Sequence, residues 1–470
     1  MKVITRYTIM SNNSNSRTND KSKELFENAP VSKAVFVNII PSVVGMIMSM
    51  IYNLADAFFI GLTRDPLMFA AVSLGTPAFT IFMAVGLLFG IGGTSLISRT
   101  LGQGNKEKAK HICAFCFWTG TIIGVVALVL MVIFARPLCY LFGASDLTID
   151  YSVEYVRVIA LCIPFLIISN TFNNIIRAEG RPQIAMLGMV IGNIINIVFD
   201  PILIFVFDMG VAGAALATVF SNVVSAIIYI LYITSSKSML TIKPNYFKAS
   251  NGIALGVLAI GIPASLNSFL MSVSNILLNI QLAPYGDMAI AGLGVAFKVN
   301  MIVVFVLIGI GSGIQPILGY CYGARLRKRY LDVLKFSTIL AIICSLILSV
   351  VQYVCAGPLV EVFLTESNAY DYGLSFCRTL IISGPIIGVL FVFMNAIQST
   401  GAAIPALILS VSRQGILFIP TLFLFSSIFD TARNIVLAQP VTDYMASLLA
   451  IYLFIYIYKN SISKFDEQKD

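Results

Sequence analysis

Apolar runs separated by short polar loops recur along the whole chain, and each is about the length, roughly 20 residues, that crosses a bilayer as a helix. They fall at 34–60, 68–97, 112–135, 152–176, 184–207 and 211–233, then at 253–282, 289–320, 331–356, 373–397, 404–427 and 435–458. The pattern predicts an all-α polytopic membrane protein with twelve transmembrane helices. The longest internal polar stretch, SSKSMLTIKPNYFKASNG, lies between the sixth and seventh runs and divides the helices six and six. The expected organisation is therefore a tail at 1–33, a lobe at 34–235, a linker at 236–251, a second lobe at 252–458 and a tail at 459–470.

Polar positions inside the runs fall into stripes. In GNIINIVFDP, Gly192 to Pro201, the helical period puts Asn193, Asn196 and Asp200 within about 60° of one another, so two amides and a carboxylate share a face. That face cannot point at lipid, because a carboxylate at the bilayer centre costs roughly 2.5–3.5 kcal/mol even on the gentler insertion scales. The first helix carries Ser42, Gly45, Ser49, Asn53 and Asp56 at steps of three or four, a polar stripe ending in a second carboxylate. The seventh repeats the stripe with Ser265, Ser268, Ser272, Asn275 and Asn279 and ends without an acid. Intramembrane acids of this kind line a cavity and carry function more often than they serve packing alone.

Composition excludes a soluble domain: 58% of the chain is hydrophobic, 11% is charged, and the mean hydropathy is +0.92. The net charge of +8 does not point to nucleic acid, because Lys and Arg recur in alternate loops, at Arg99–Lys110, Arg177–Arg181, Lys237–Lys248 and Arg325–Lys335, and in both tails. The other loops hold acids such as Asp146, Asp150, Asp208, Asp287, Glu361 and Glu366. The positive-inside rule then expects both termini in the cytoplasm and the chain in the plasma membrane. Residues 1–30 lack an apolar core of signal-peptide type and read as a disordered tail. Eight cysteines lie mostly in apolar runs with no framework spacing. His111, Cys113 and Cys116 mimic a metal site but have no second ligand pair nearby, so the cysteines read as small buried hydrophobes.

The halves can be written in register. Ala70–Gly75 falls on Ala289–Gly294, Ile91-Gly92 on Ile310-Gly311 and Gly104 on Gly323 at a shift of about 219. At about 221, Phe172, Asn174, Ile176 and Gly180 fall on Phe393, Asn395, Ile397 and Gly401. Each half has an even number of helices, so the repeat keeps its orientation and its axis runs along the membrane normal, as in transporters whose two lobes rock about a central site. In this register Asp56 falls opposite Asn275 and Asp200 opposite Thr421, so the two acids belong to the first half alone.

The motifs YNLADAFFIG (Tyr52–Gly61), RAEGRP (Arg177–Pro182), GNIINIVFDP, GVAGAALAT (Gly210–Thr218) and GYCYGARLRKR (Gly319–Arg329) span both halves. In order and spacing the chain resembles the multidrug and toxic compound extrusion (MATE) family, on its DinF-like branch. The resemblance implies a V-shaped exporter of two pseudo-symmetric six-helix bundles around a central cavity, working as a monomer. It would exchange H⁺ or Na⁺ for lipophilic, cationic compounds, with no cofactor and no catalytic residues. It also implies an ion site in the first lobe, with Asp56 and Tyr52 on the first helix, Asn170 and Asn173 on the fourth, Asn196 and Asp200 on the fifth and Thr218 on the sixth. Asp56, Asn196, Asp200 and Thr218 are the expected ion-coupling set, supplying hard oxygen ligands if the ion is Na⁺. Tyr52, Asn53, Asn170, Asn173 and Asn193 are expected to line the cavity. The branch with acids in the second lobe fits less well, because Ser274 and Asn275 occupy the seventh helix here.

Other in-run charges are Lys298 and Arg413, expected to pair or snorkel rather than to gate, and Asp443, expected at the extracellular end of the last helix. Pro41, Pro164, Pro201, Pro263 and Pro385 are expected to kink helices. Two rival readings remain open at this point. One is a flippase of lipid-linked or other metabolite cargo on a related helix count. The other is an intramembrane aspartyl protease, for which no GxGD-type setting is present.

Overall fold

The computed structural model describes residues 23–62, 66–141, 144, 146, 148–364 and 367–465, with backbone alone at 66–78 and 367. Most of the expected N-terminal tail, Glu366, the end of the C-terminal tail and the side chains of the aligned block Ala70–Gly75 lie outside the described residues. The spans are α1 Val31–Leu62, α2 Pro66–Gly102, α3 Lys106–Ile133, α4 Ile149–Ala160 with Ile163–Ala178, α5 Pro182–Val206 and α6 Gly210–Thr234. They continue with α7 Ile253–Leu282, α8 Asp287–Gly323, α9 Arg327–Glu361, α10 Asn368–Thr400, α11 Ala403–Ile428 and α12 Ala432–Phe465. Eleven described helices are long and apolar enough to cross a membrane, and the bent pair of α4 makes twelve.

The bend in α4, 48°, has a local cause. Pro164 has no backbone N–H to give Ala160, and at the joint the Leu161 and Cys162 N–H groups turn to carbonyls three residues back, those of Val158 and Ile159. Two other spans change pitch. Immediately after Pro201, α5 continues as a π-helical turn, Ile202–Val206, and α11 has one at Ser412–Ile416. A π turn leaves its carbonyls in a different register from the helix around it, and such turns recur at functional sites.

The chain forms two compact units, one built on Met48–Gly261, the other on Pro30–Ile47 with the residues from Ile262 onward. The division runs inside α1 and α7 rather than at residues 236–251, which belong to the first unit. Close glycine contacts explain this. A Cβ on Gly92 of α2 would collide with the Val257 backbone, so the first turns of α7 lie hard against the first unit. Gly313 of α8 meets Asn38 and Ile39 in the same way, which holds the first turns of α1 in the second unit; the contacts match Gly92 with Gly313, a shift of 221, rather than with Gly311 as the sequence alignment at about 219 has it.

The repeat is visible inside each unit. Asn174 caps the Asn170 carbonyl one turn back at 2.9 Å and lies over Gly90; 221 residues later Asn395 caps the Phe391 carbonyl at 2.9 Å and lies over Gly311. With little apolar driving force between helices in lipid, such close packing at small residues holds a bundle together. The first unit's core gathers Phe89, Ile112, Phe115, Cys116, Phe172 and Tyr229, and the second's gathers Leu293, Val299, Phe376, Phe418 and Leu422.

Candidate functional site

The site is in the first unit, where α5 and α6 pack along each other and the second half of α1 joins them through Ile60, which clusters with Ile204 and Ala214. Asp200 is the next-to-last residue of the α-helical part of α5, just before Pro201 and the π turn, and its side chain is wholly buried. Asn196, one turn earlier, is buried as well and links the two helices. With its amide nitrogen turned toward the acid, it donates to Asp200 Oδ2 at 2.9 Å and accepts from the Thr218 backbone N–H of α6 at 3.2 Å. Asp200 Oδ1 is buried with no hydrogen-bond partner among the described residues.

From α1, the Tyr52 hydroxyl faces that of Thr218, while Tyr52 and Asp56 both lie close enough to Asp200 to interact electrostatically with it. Asp56 is partly buried, and neither acid is ion-paired to Lys or Arg among the described residues. Asn193 extends the link between α5 and α1 by donating to Ser49 Oγ at 3.2 Å. The expected ion-coupling set, Asp56, Asn196, Asp200 and Thr218, thus meets at one place together with Tyr52. Helical spacing supplies the stripes, and the packing of α5 on α6 brings Thr218 to Asn196.

Sequence comparison supplies the context for this cluster. The MatE family profile matches residues 41–202 and again 263–424, one copy in each half. The chain belongs to the MatE family. The multidrug export proteins MepA of Staphylococcus saprophyticus and Staphylococcus aureus are each 30% identical to it over 437 residues, covering 92% of this chain and 96% of theirs. Among solved structures, an outward-facing multidrug resistance MATE family transporter of the MOP superfamily superimposes with a TM-score of 0.89 at 25% identity, over 95% of this chain and 99% of its own. A MATE protein in its straight conformation does so at 0.88 and 25%, with the same coverage.

In this MatE transporter the remaining candidates separate. Asn53 is exposed and donates to the Ser49 carbonyl of its own helix at 2.6 Å. Asn170 is half-buried and donates to Leu166 O at 2.9 Å, beside Gly86. Asn173 is placed in a different cluster. It is buried, gives its amide to Ala185 O and to the Tyr229 hydroxyl at 3.0 Å, and takes a hydrogen bond from Arg177. Those bonds use the side chain in packing α4 against α5 and α6, so the structure gives it no place beside the acids.

Two residues near the site are not among those singled out from the sequence. Tyr155, on the first half of α4, interacts electrostatically with both Asp56 and Asp200. Asn222 holds the Thr218 carbonyl at 2.9 Å and accepts from Ser169 at 2.9 Å. Tyr155 is one aromatic among many, whereas Asn222 sits one turn from Thr218 on α6, where helical spacing could have singled it out; only its bond from Ser169 depends on the packing of α6 on α4. In the second unit Arg413 pairs, as expected, and its partner is Asp443. It is 1% exposed and bonded by both Nε and Nη2 of Arg413, at 3.3 and 3.2 Å, while Phe391 lies 5.2 Å from the guanidinium and Gln439 adds a contact at 3.4 Å. Lys298 is exposed, with its ammonium 5.6 Å from the Phe363 ring.

Proposed function

We propose that this MatE transporter exports lipophilic, cationic compounds from the cell, driven by inward movement of H⁺ or Na⁺ through the Asp56–Asp200 site. The observation that carries the reading is a fully buried carboxylate, Asp200, with one oxygen held by Asn196 and the other unpartnered, beside a second acid and away from any cationic side chain among the described residues. Such a group is costly in a membrane unless it takes up a cation. A proton needs no rearrangement here. Sodium needs hard oxygen donors, which Asp56, Asp200, Thr218 and Tyr52 offer, and Asn196 presents its own oxygen only when its amide turns. Either ion gains about 2.3 kcal/mol per elementary charge for each ~100 mV it falls through. The MepA relatives are named multidrug export proteins, which supports the cargo class.

With basic loops on the cytoplasmic side, both termini face the cytoplasm. In the proposed cycle the ion binds at the two acids from outside, α1, α5 and α6 shift, cargo leaves outward, and the ion is released inward. The test is reconstitution in liposomes with either a pH gradient or a Na⁺ gradient imposed. Cargo that collapses one gradient and not the other names the ion. Collapse of neither, with export continuing, overturns the coupling.

A further inference from the structure

On the face where the basic loops gather, the first unit has a recess of about 340 Å³ between the start of α3, the end of α6 and the linker that follows it. Its chemistry is that of an anion site. Lys110 of α3 and Lys243 of the linker, far apart in sequence, line the same space with the hydroxyls of Ser235, Ser236 and Thr241. Lys110 is partly buried, 5.5 Å from the Tyr246 ring and 2.6 Å from Glu107, which leaves the pair of lysines in excess of the one nearby surface acid. The buried Glu179 lies behind the wall, and its carboxylate is already engaged by Ser238 and the Met239 N–H, with Arg181 nearby.

The depth of the recess is marked by aromatic groups. Trp118, the only tryptophan in the chain, donates its indole N–H to Ile242 O of the linker at 3.0 Å, and His111 donates to Tyr246 O at 2.7 Å. Trp and Tyr gather at the headgroup level of a bilayer, and basic pockets at helix ends on the cytoplasmic side suit phosphate groups of anionic lipids. A recess with two ammonium groups, three hydroxyls and an apolar floor of Ile233, Met239 and Leu240 matches a phosphate joined to something greasy.

We propose that this recess binds a phosphate group, that of an anionic phospholipid of the same leaflet, and by doing so fastens the linker to α3. The proposal does not depend on the coupling ion or the cargo.

Trp118 gives the readout, since its single emission reports the linker contact. The whole protein is placed in nanodiscs of phosphatidylcholine with increasing phosphatidylglycerol, and separately in detergent with inorganic phosphate alone. The expected result is a saturable Trp118 shift with phosphatidylglycerol, needing several-fold more lipid in Lys110→Gln/Lys243→Gln and restored by Lys110→Arg/Lys243→Arg. A shift with inorganic phosphate in detergent, equally weakened in the glutamine variant, keeps the phosphate site and assigns it to a soluble ligand. A response that never saturates, or one that the glutamine variant shares in full, is surface charge acting alone and overturns the proposal. The variant's melting temperature and its Trp118 spectrum in pure phosphatidylcholine establish that it folds.

Discussion

Each unit buries a carboxylate inside a membrane helix, and they resolve the cost in opposite ways. In the second unit Asp443 carries its own cation: Arg413 reaches it from α11 with two nitrogens, and Gln439 adds to the same oxygen. In the first unit Asp200 is met by an amide, has an unpartnered oxygen, and lies near another acid rather than a base. A carboxylate with a tethered guanidinium is neutralised permanently and can serve as a strut. A carboxylate given only neutral donors needs a cation from outside, which makes it fit for exchange. The difference teaches that burial of an acid does not by itself mark a coupling site; what decides is whether the fold supplies the counter-charge.

The sharpest test is Asp200→Asn. Gradient-driven efflux should fall to background while expression and melting temperature hold; efflux of a confirmed cargo at the parent rate would remove Asp200 from the mechanism and with it the contrast between the units. Next in size is the pair in the second unit. Arg413→Gln or Asp443→Asn alone should each destabilise the protein by about 3–5 kcal/mol, since each strands a buried partner, whereas Arg413→Met/Asp443→Leu should recover most of that loss in thermal unfolding. If the double variant is stable yet transports nothing, the pair is more than a strut.

A smaller effect is expected of Thr218→Val. It removes the hydroxyl facing Tyr52 and leaves the backbone N–H that serves Asn196, so stability should change by about 1 kcal/mol and efflux should fall several-fold, measured as initial rate. The smallest concerns a third buried acid, Glu179, in the loop between α4 and α5. Burial pushes its carboxyl up from 4.5 to about 7, against the hydrogen bonds from Met239 and Ser238 that pull it down. The folded chain therefore holds this proton to higher pH than the unfolded chain, and the Glu179 contribution to stability declines as pH rises from about 4.5 to about 7. Melting temperatures across that range should slope less in Glu179→Gln than in the parent. An unchanged slope would mean that other groups set it.

The sequence by itself determined the helices, because spans of this length and hydropathy have no other stable form in lipid. It also placed the polar stripes, because Asp56, Asn193, Asn196 and Asp200 are neighbours at helical spacing within single runs, and it revealed the repeat, which reappears as Gly90 with Asn174 and Gly311 with Asn395. Only the tertiary structure decided what crosses between helices. The period of one helix says nothing about which turn of another will face it, so the meeting of Asn196 with Thr218, the arrival of Tyr155, the diversion of Asn173 to Tyr229 and the pairing of Arg413 with Asp443 were fixed by packing. The same holds for the division of α1 and α7 between units, which small residues such as Gly92 and Gly313 set by how closely they let backbones approach.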